Sequence, residues 1–337
     1  HSTFMGDSSG YYAIGADHSS FVGAESGYRA TNANKSNFLG YQTGYRAYGA
    51  ENSNMLGFQA GYNDSNTADF LGATSNPFGI SGGSNFVGYQ AGFDASGAVQ
   101  SNFFGTQAGY QATNAAAANF LGYQAGYQAT DAFNANFIGF MAGYQATAAE
   151  SSNFFGNWAG QGATNATVSN FFGEYAGNGA INAYSSNFFG EQAGLTATDA
   201  HESNFIGYQA GHEATYANNS NFIGAYSGRH AANADHANFF GFSAGNGATN
   251  ANDSNFVGNE AGRDAENAAF SNFFGSGAGS NAAGATFSNF IGYQAGFGAK
   301  DAYRSLFAGY QAGYNASHTN IGMPDATRES NFIGYQA

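Results

Sequence analysis

The seven histidines, His1, His18, His201, His212, His230, His236 and His318, are the side chains best suited to metal or proton chemistry, but their spacing repeats no ligand pattern. They read as solvated surface residues. His1 joins an amine to an imidazole, a copper-ligating pair only where it is a mature N-terminus. Catalysis needs unlike groups brought together, and the 22 acidic residues are scattered without a paired or triad spacing. The glycine-and-aspartate nonapeptide of calcium-binding β-rolls is missing. Gly275, Gly277 and Gly279 have neither a lysine nor a following helix, so they form no phosphate loop. The expectation is a protein without catalytic residues, cofactor or metal site, and not an enzyme.

Three recurring residue types carry more information. Asn precedes a large apolar residue again and again, as at Asn102, Asn119, Asn136, Asn153 and Asn170, a spacing at which stacked side-chain amides can hydrogen-bond in a ladder. Thr recurs at Thr31, Thr113, Thr130, Thr147, Thr164, Thr198, Thr215 and Thr249, a rank resembling the surfaces of ice-binding solenoids. Ile181, Ala232, Glu266 and Lys300 interrupt it. Tyr is dense in the first half, and Tyr41, Tyr45, Tyr123 and Tyr127 are candidates for stacking on glycans or neighbouring fibres. The plainer reading is that these rings shield and stiffen the sheet beneath them. Asn-x-Ser/Thr at Asn34, Asn63, Asn165, Asn218, Asn252 and Asn315 arises readily by chance in a chain so rich in Asn and Ser.

What positions these residues is an internal repeat. The aromatic of the Ser-Asn-Phe triplet recurs every 17 residues from Phe103 through Phe120, Phe137, Phe154, Phe171 and Phe188 to Phe307. Earlier anchors are Phe4, Phe21, Phe38 and Met55; Phe70 and Phe86 follow at 15 and 16, and Phe332 closes the series after 25. Asn precedes the anchor in 16 of 20 units, an apolar residue follows it, and Gly always comes two after. Small residues, mostly Ala, recur at nine and twelve after the anchor, as in Ala112 and Ala115.

If each unit is one coil, equivalent positions stack at the ~4.8 Å spacing of paired strands. Inward columns then see only each other and stay Phe, Ile or Ala, whereas outward columns vary. Gly columns mark corners of positive φ or close approach. The expected fold is all-β, a parallel β-solenoid or β-roll of about 20 coils, forming a single repeat domain over 1–337. Irregular coils are expected around 56–102 and a loop insertion around 318–328, because Pro77 and Pro324 sit there and proline removes a ladder donor. The 51 glycines, spread regularly, disfavour helix at ~1 kcal/mol each.

The anchor and its successor are both large, as in Phe103-Phe104, Phe154-Phe155, Phe171-Phe172 and Phe188-Phe189. Successive strand residues point to opposite faces, so one ring fills the coil and the other faces outward. The outer column would run ~90 Å as an apolar stripe, more than a soluble monomer ordinarily exposes. The alternative is a turn that swings both rings inward.

Net charge is −14 with eight basic residues, too few and too dispersed for a nucleic-acid backbone or an anionic membrane. No apolar run approaches a membrane span. Cysteine is absent. The chain starts at His1 and stops mid-unit at Ala337, which suggests processing or a longer parent and uncapped ends able to continue a stack.

Ser-Asn-Phe-Ile-Gly-Tyr-Gln-Ala-Gly, at Ser203–Gly211 and Ser288–Gly296, resembles the head repeats of YadA-like trimeric autotransporter adhesins. It also resembles Asn-Phe-Ile-Gly-Tyr-Gln-Ala-Gly repeats of bacterial surface and phage-tail-fibre-like proteins, over essentially the whole chain. The resemblance implies a left-handed β-roll, usually trimeric, displayed outside a cell or on a virion. The expected function is a structural subunit of an extracellular filament or surface fibre that assembles with itself, as a trimer or head-to-tail polymer. An adhesin or tail-fibre-like shaft binding glycan or a host surface is the alternative, and an ice-binding protein a third.

Overall fold

The computed structural model describes residues 1–63, 83–316 and 331–337. Among them there is no helix, and regular structure consists of 19 strands of three residues each. The chain divides into two compact units, His1–Ser169 and Asn170–Ala337. In the first, strands β1 (Thr3–Met5), β2 (Ser20–Val22), β3 (Asn37–Leu39), β4 (Asn54–Leu56), β5 (Asn85–Val87), β6 (Asn102–Phe104), β7 (Asn119–Leu121), β8 (Asn136–Ile138) and β9 (Asn153–Phe155) pair in chain order, all parallel. In the second, β10 (Asn170–Phe172) to β19 (Asn331–Ile333) do the same. Each unit is thus a parallel β-solenoid, built from one and the same 17-residue coil.

Register follows the anchors. Phe103 lies over Phe120 and Phe120 over Phe137. The ladder continues across both irregular spacings. β4 pairs directly with β5, Met55 against Phe86, so 31 residues separate these two rungs and none intervenes between them. Residues 57–63 form the turn that follows β4, and 83–102 run through strand, turn and bridge as in a regular coil; the rest of 56–102 lies outside the described residues. Phe70 and Pro77 lie outside the described residues, as do Pro324, His318 and the insertion at 318–328. Beyond that insertion, Phe307 pairs with Phe332, so the 25-residue interval still makes a single step of the ladder. Among the described residues the ladder has 19 rungs, and the anchor Phe70 lies outside them.

The interior is one ring wide. Among the described residues, the anchor phenylalanines from Phe21 to Phe290 are 0% exposed and stack nearly parallel, Phe103 on Phe120 with centroids 4.7 Å apart and planes 4° apart. Full burial of such a ring contributes roughly 1.5–3 kcal/mol. Ala108, Ala112 and Ala115 close the other walls, all fully buried. The cross-section has no room for anything larger opposite the ring. Gly109 shows why: a Cβ there would lie closer than 3.0 Å to the ring of its own anchor, Phe103.

Backbone hydrogen bonds continue through the turns. Gln107 N donates to Tyr89 O in the coil before, Gly109 N to Ala125 O in the coil after, and Gln111 N to Phe93 O in the coil before. The turn also alternates in backbone hand. Gln107, Gly109 and Gln111 have φ of 55°, 64° and 52°, whereas the residues between them do not have positive φ. The left-handed residues send their N–H groups to the adjacent coils, whereas Ala108 and Tyr110 between them donate within the coil, to Gly105 O and Gln107 O, so the turn leaves few donors unmet.

Non-glycine residues in the left-handed region cost roughly 1–2 kcal/mol, most for β-branched side chains. Val168 is such a residue, at φ 58° and 55% exposed. Val168→Asn, which relieves the branch while keeping a side chain, is expected to stabilise the protein by about 1 kcal/mol. A rise in the urea midpoint checks it, and a fall would show that the valine has a compensating contact.

Candidate functional site: the outward columns of the coil

The outward face of each strand carries two columns, the asparagines before the anchors and the apolar residues after them. Alternation along an extended strand puts both on the side opposite the buried ring. Phe104 is 41% exposed and Leu121 37%, against 0% for Phe103 and Phe120. The same split holds in the second unit, where Phe189 and Phe274 are 37% and 41% exposed over the buried Phe188 and Phe273. Phe155 and Phe172 are half-buried. Swinging both rings inward is therefore excluded by the geometry: the residue two after the anchor is the corner, and it comes too late to turn its predecessor inside.

The asparagines form an amide ladder in each unit, from Asn37 to Asn153 in the first and from Asn170 to Asn289 in the second, where Leu306 ends it. Asn102 Nδ2 donates to Asn119 Oδ1 at 2.8 Å, Asn119 to Asn136 and Asn136 to Asn153 at the same distance. Asn170 donates to Asn187 in the second unit. A second ladder, of glutamines four after the anchor, runs the other way: Gln124 Nε2 donates back to Gln107 Oε1 at 2.8 Å, and Gln107 to Gln90 at 3.0 Å. In the sequence this column interchanges Gln with Glu, Met, Trp, Tyr and Ser. The recurrence of Gln at a fixed offset in successive units, Gln90, Gln107 and Gln124, was the available signal.

A third ladder is inside. The serines two before the anchors are buried; Ser101 Oγ donates to Ala115 O at 2.5 Å and accepts from Ala118 N at 3.3 Å. Each hydroxyl thereby satisfies a backbone carbonyl and a backbone N–H that the narrow interior shuts off from water.

The tyrosines divide by column. Tyr45 and Tyr127 lie seven after their anchors in an eight-ring stack: Tyr11, Tyr28, Tyr45, Tyr62, Phe93, Tyr110, Tyr127 and Tyr144. From Tyr28 onward, neighbouring centroids are 4.8–5.0 Å apart and near-parallel. Both faces of a mid-stack ring are taken by its neighbours, which leaves only edges and hydroxyls outward. Burial pushes the hydroxyls of Tyr62, Tyr110 and Tyr127 above the ordinary phenol range, with neighbouring phenols or Asp94 adding to it. Tyr41 and Tyr123 lie three after their anchors, each 45% exposed, and each starts a shorter run: Tyr41 stacks on Phe58 and Tyr123 on Phe140.

Comparison with protein-family models gives no match, and comparison with curated proteins gives none either. The reading of this chain therefore rests on its own columns.

The Thr rank lies ten after the anchors, where single parallel bridges link Ser96, Thr113, Thr130, Thr147 and Thr164 in order. In the second unit the rank is broken: Ile181, Thr198, Thr215, Ala232, Thr249 and Glu266 follow one another. His1 lies near His18, with centroids 6.4 Å apart, and His236 contacts Asp235 at 3.2 Å. His212 and His230 are brought together, which no fixed spacing in the sequence advertised. Their separation is the repeat length plus one, so each stands in a different column.

Proposed function

We propose that this chain is a self-assembling structural protein of an extracellular filament or surface fibre. The observation that carries the reading is the outward apolar column of each unit. Leu39, Leu56, Phe104 and Leu121 in the first unit, and Phe189, Ile206, Ile223, Phe274 and Ile291 in the second, each leave 37–48% of their surface open. Such a stripe is costly to hydrate and repeats at strand spacing, ~4.8 Å. The partner that matches it best is a second copy of the same chain, whose column has the same repeat and whose asparagine ladder lies beside it in the same way. Rigidity comes from the ladders, since each coil is tied to its neighbours through backbone, amides and rings together.

Light scattering coupled to gel filtration, with electron microscopy, tests this reading. Wild-type protein is expected to be oligomeric or filamentous at micromolar concentration. Phe104→Thr/Leu121→Thr/Ile138→Thr, which keeps β-propensity and removes the apolar edge, is expected to reduce or abolish assembly with an unchanged circular dichroism spectrum. A wild-type monomer would overturn the proposal.

A glycan-binding shaft is the second reading. Tyr41 and Tyr123, exposed at the starts of their runs, favour it, whereas the mid-stack positions of Tyr45 and Tyr127 do not.

A further inference from the structure

The coil repeat brings together three metal-ligating side chains in the second unit, in the turns that follow the glutamine column. His212 stands seven after Phe205, Glu213 eight after it, and His230 eight after Phe222. Glu213 and His230 are thus stacked in one column, and His212 stands diagonally beside His230. The imidazole centroids of His212 and His230 are 5.6 Å apart, with planes at 81°. Glu213 Oε2 lies 2.8 Å from His230 Nδ1. His212 Nδ1 is buried and has no hydrogen-bond partner. One ligand atom from each residue falls within 4.8 Å of the other two, the one such group of three among the described residues.

We infer that His212, Glu213 and His230 form a binding site for a divalent transition metal of the zinc class. Two imidazole nitrogens and one carboxylate oxygen, with a fourth position left to water, are a donor set that Zn²⁺ accepts. Zinc–nitrogen bonds of ~2.0–2.1 Å place tetrahedral ligand atoms roughly 3.3 Å apart. Contraction from within 4.8 Å needs only side-chain rotation, because Glu213 and His230 are 54% and 41% exposed at their side chains. The backbone beneath them is fixed: His230 N donates to His212 O at 2.8 Å, and Glu213 N to Leu195 O at 2.9 Å. The unpartnered His212 nitrogen gains the partner it lacks. Arg229, adjacent in sequence to His230 and drawn over the Tyr226 ring at 5.6 Å, sets a positive charge nearby that Glu213 balances. Bound metal would join two consecutive coils at a point where the column has no stacked aromatic pair.

The test is titration of the chelator-treated full chain with Zn²⁺ by isothermal calorimetry, with Co²⁺ as a spectroscopic probe. Wild type is expected to take up one equivalent per chain, to show a visible Co²⁺ ligand-field band, and to rise in thermal midpoint with Zn²⁺. His212→Ala and His230→Ala are each expected to weaken uptake at least ten-fold and to lose the band. His230 is exposed enough for its variant to keep the wild-type circular dichroism spectrum, and His236→Ala is expected to bind as wild type does. Absence of saturable Zn²⁺ uptake by wild type, or uptake unchanged in the His212→Ala/His230→Ala double variant, would overturn the site. Neither outcome bears on self-assembly, which rests on different columns.

Discussion

Phe137→Ala is expected to destabilise the first unit by about 3–5 kcal/mol, the range for removing a large aromatic from a packed core. Phe137 is fully buried between Phe120, at 4.9 Å, and Phe154, at 4.7 Å, with planes 5° apart on both sides. Its loss therefore removes two stacking contacts and opens a cavity that cannot collapse. The wall opposite is already Ala and Gly, and the coils are held at strand spacing by their hydrogen bonds. Because each coil touches only its neighbours, the damage should stay local. Hydrogen exchange is expected to accelerate at Asn119–Leu121, Asn136–Ile138 and Asn153–Phe155 more than at Thr3–Met5. Phe104→Ala provides the contrast. That ring is 41% exposed, so its removal is expected to cost about 1 kcal/mol by the same urea measurement. Equal losses at the two sites would show that inside and outside are misassigned.

Gly122→Ala should cost about 2–6 kcal/mol, from backbone strain of about 1–3 and overpacking of about 1–3. Gly122 has φ 142°, and a Cβ there would overlap the carbonyl of Gly139 in the next coil. The clash is with backbone, so no rotamer change relieves it. Relief requires the two coils to part, against the Gly139 N to Leu121 O bond of 2.9 Å. Gly162→Ala separates the two contributions. Its φ of 64° lies in the left-handed region that non-glycine residues reach, and a Cβ there meets nothing within 4 Å, so the expected cost is only about 1–2 kcal/mol. A Gly122→Ala protein no less stable than Gly162→Ala would show that the coils can be spaced further apart than drawn.

Much of the architecture was legible because the repeat converts a three-dimensional problem into a one-dimensional one. A strict period over Phe103 to Phe307 means that equivalent residues meet their own kind, so fold class, register and the Gly corners follow from counting. The Asn ladder was legible for the same reason, since Asn102 and Asn119 have nowhere else to point once stacked. The Gln and Ser ladders were not, although Ser recurs as regularly as Asn, and Gln in half of the units. Whether a polar column lies inside, as Ser101 does, or outside, as Gln107 does, depends on the φ values of the turn, and glutamine at φ 55° violates the usual preference.

Period alone thus determined that this chain is a parallel solenoid with a phenylalanine column, and which residues share a column. Tertiary structure decided which of Phe103 and Phe104 fills the core, because alternation sets two faces without saying which is enclosed. It decided that Met55 pairs with Phe86 with no rung between them, because pairing responds to backbone fit and not to the nearest aromatic. It also decided that His212 meets His230, since contacts between different columns depend on how a turn is shaped, and a repeat length records only contacts within one.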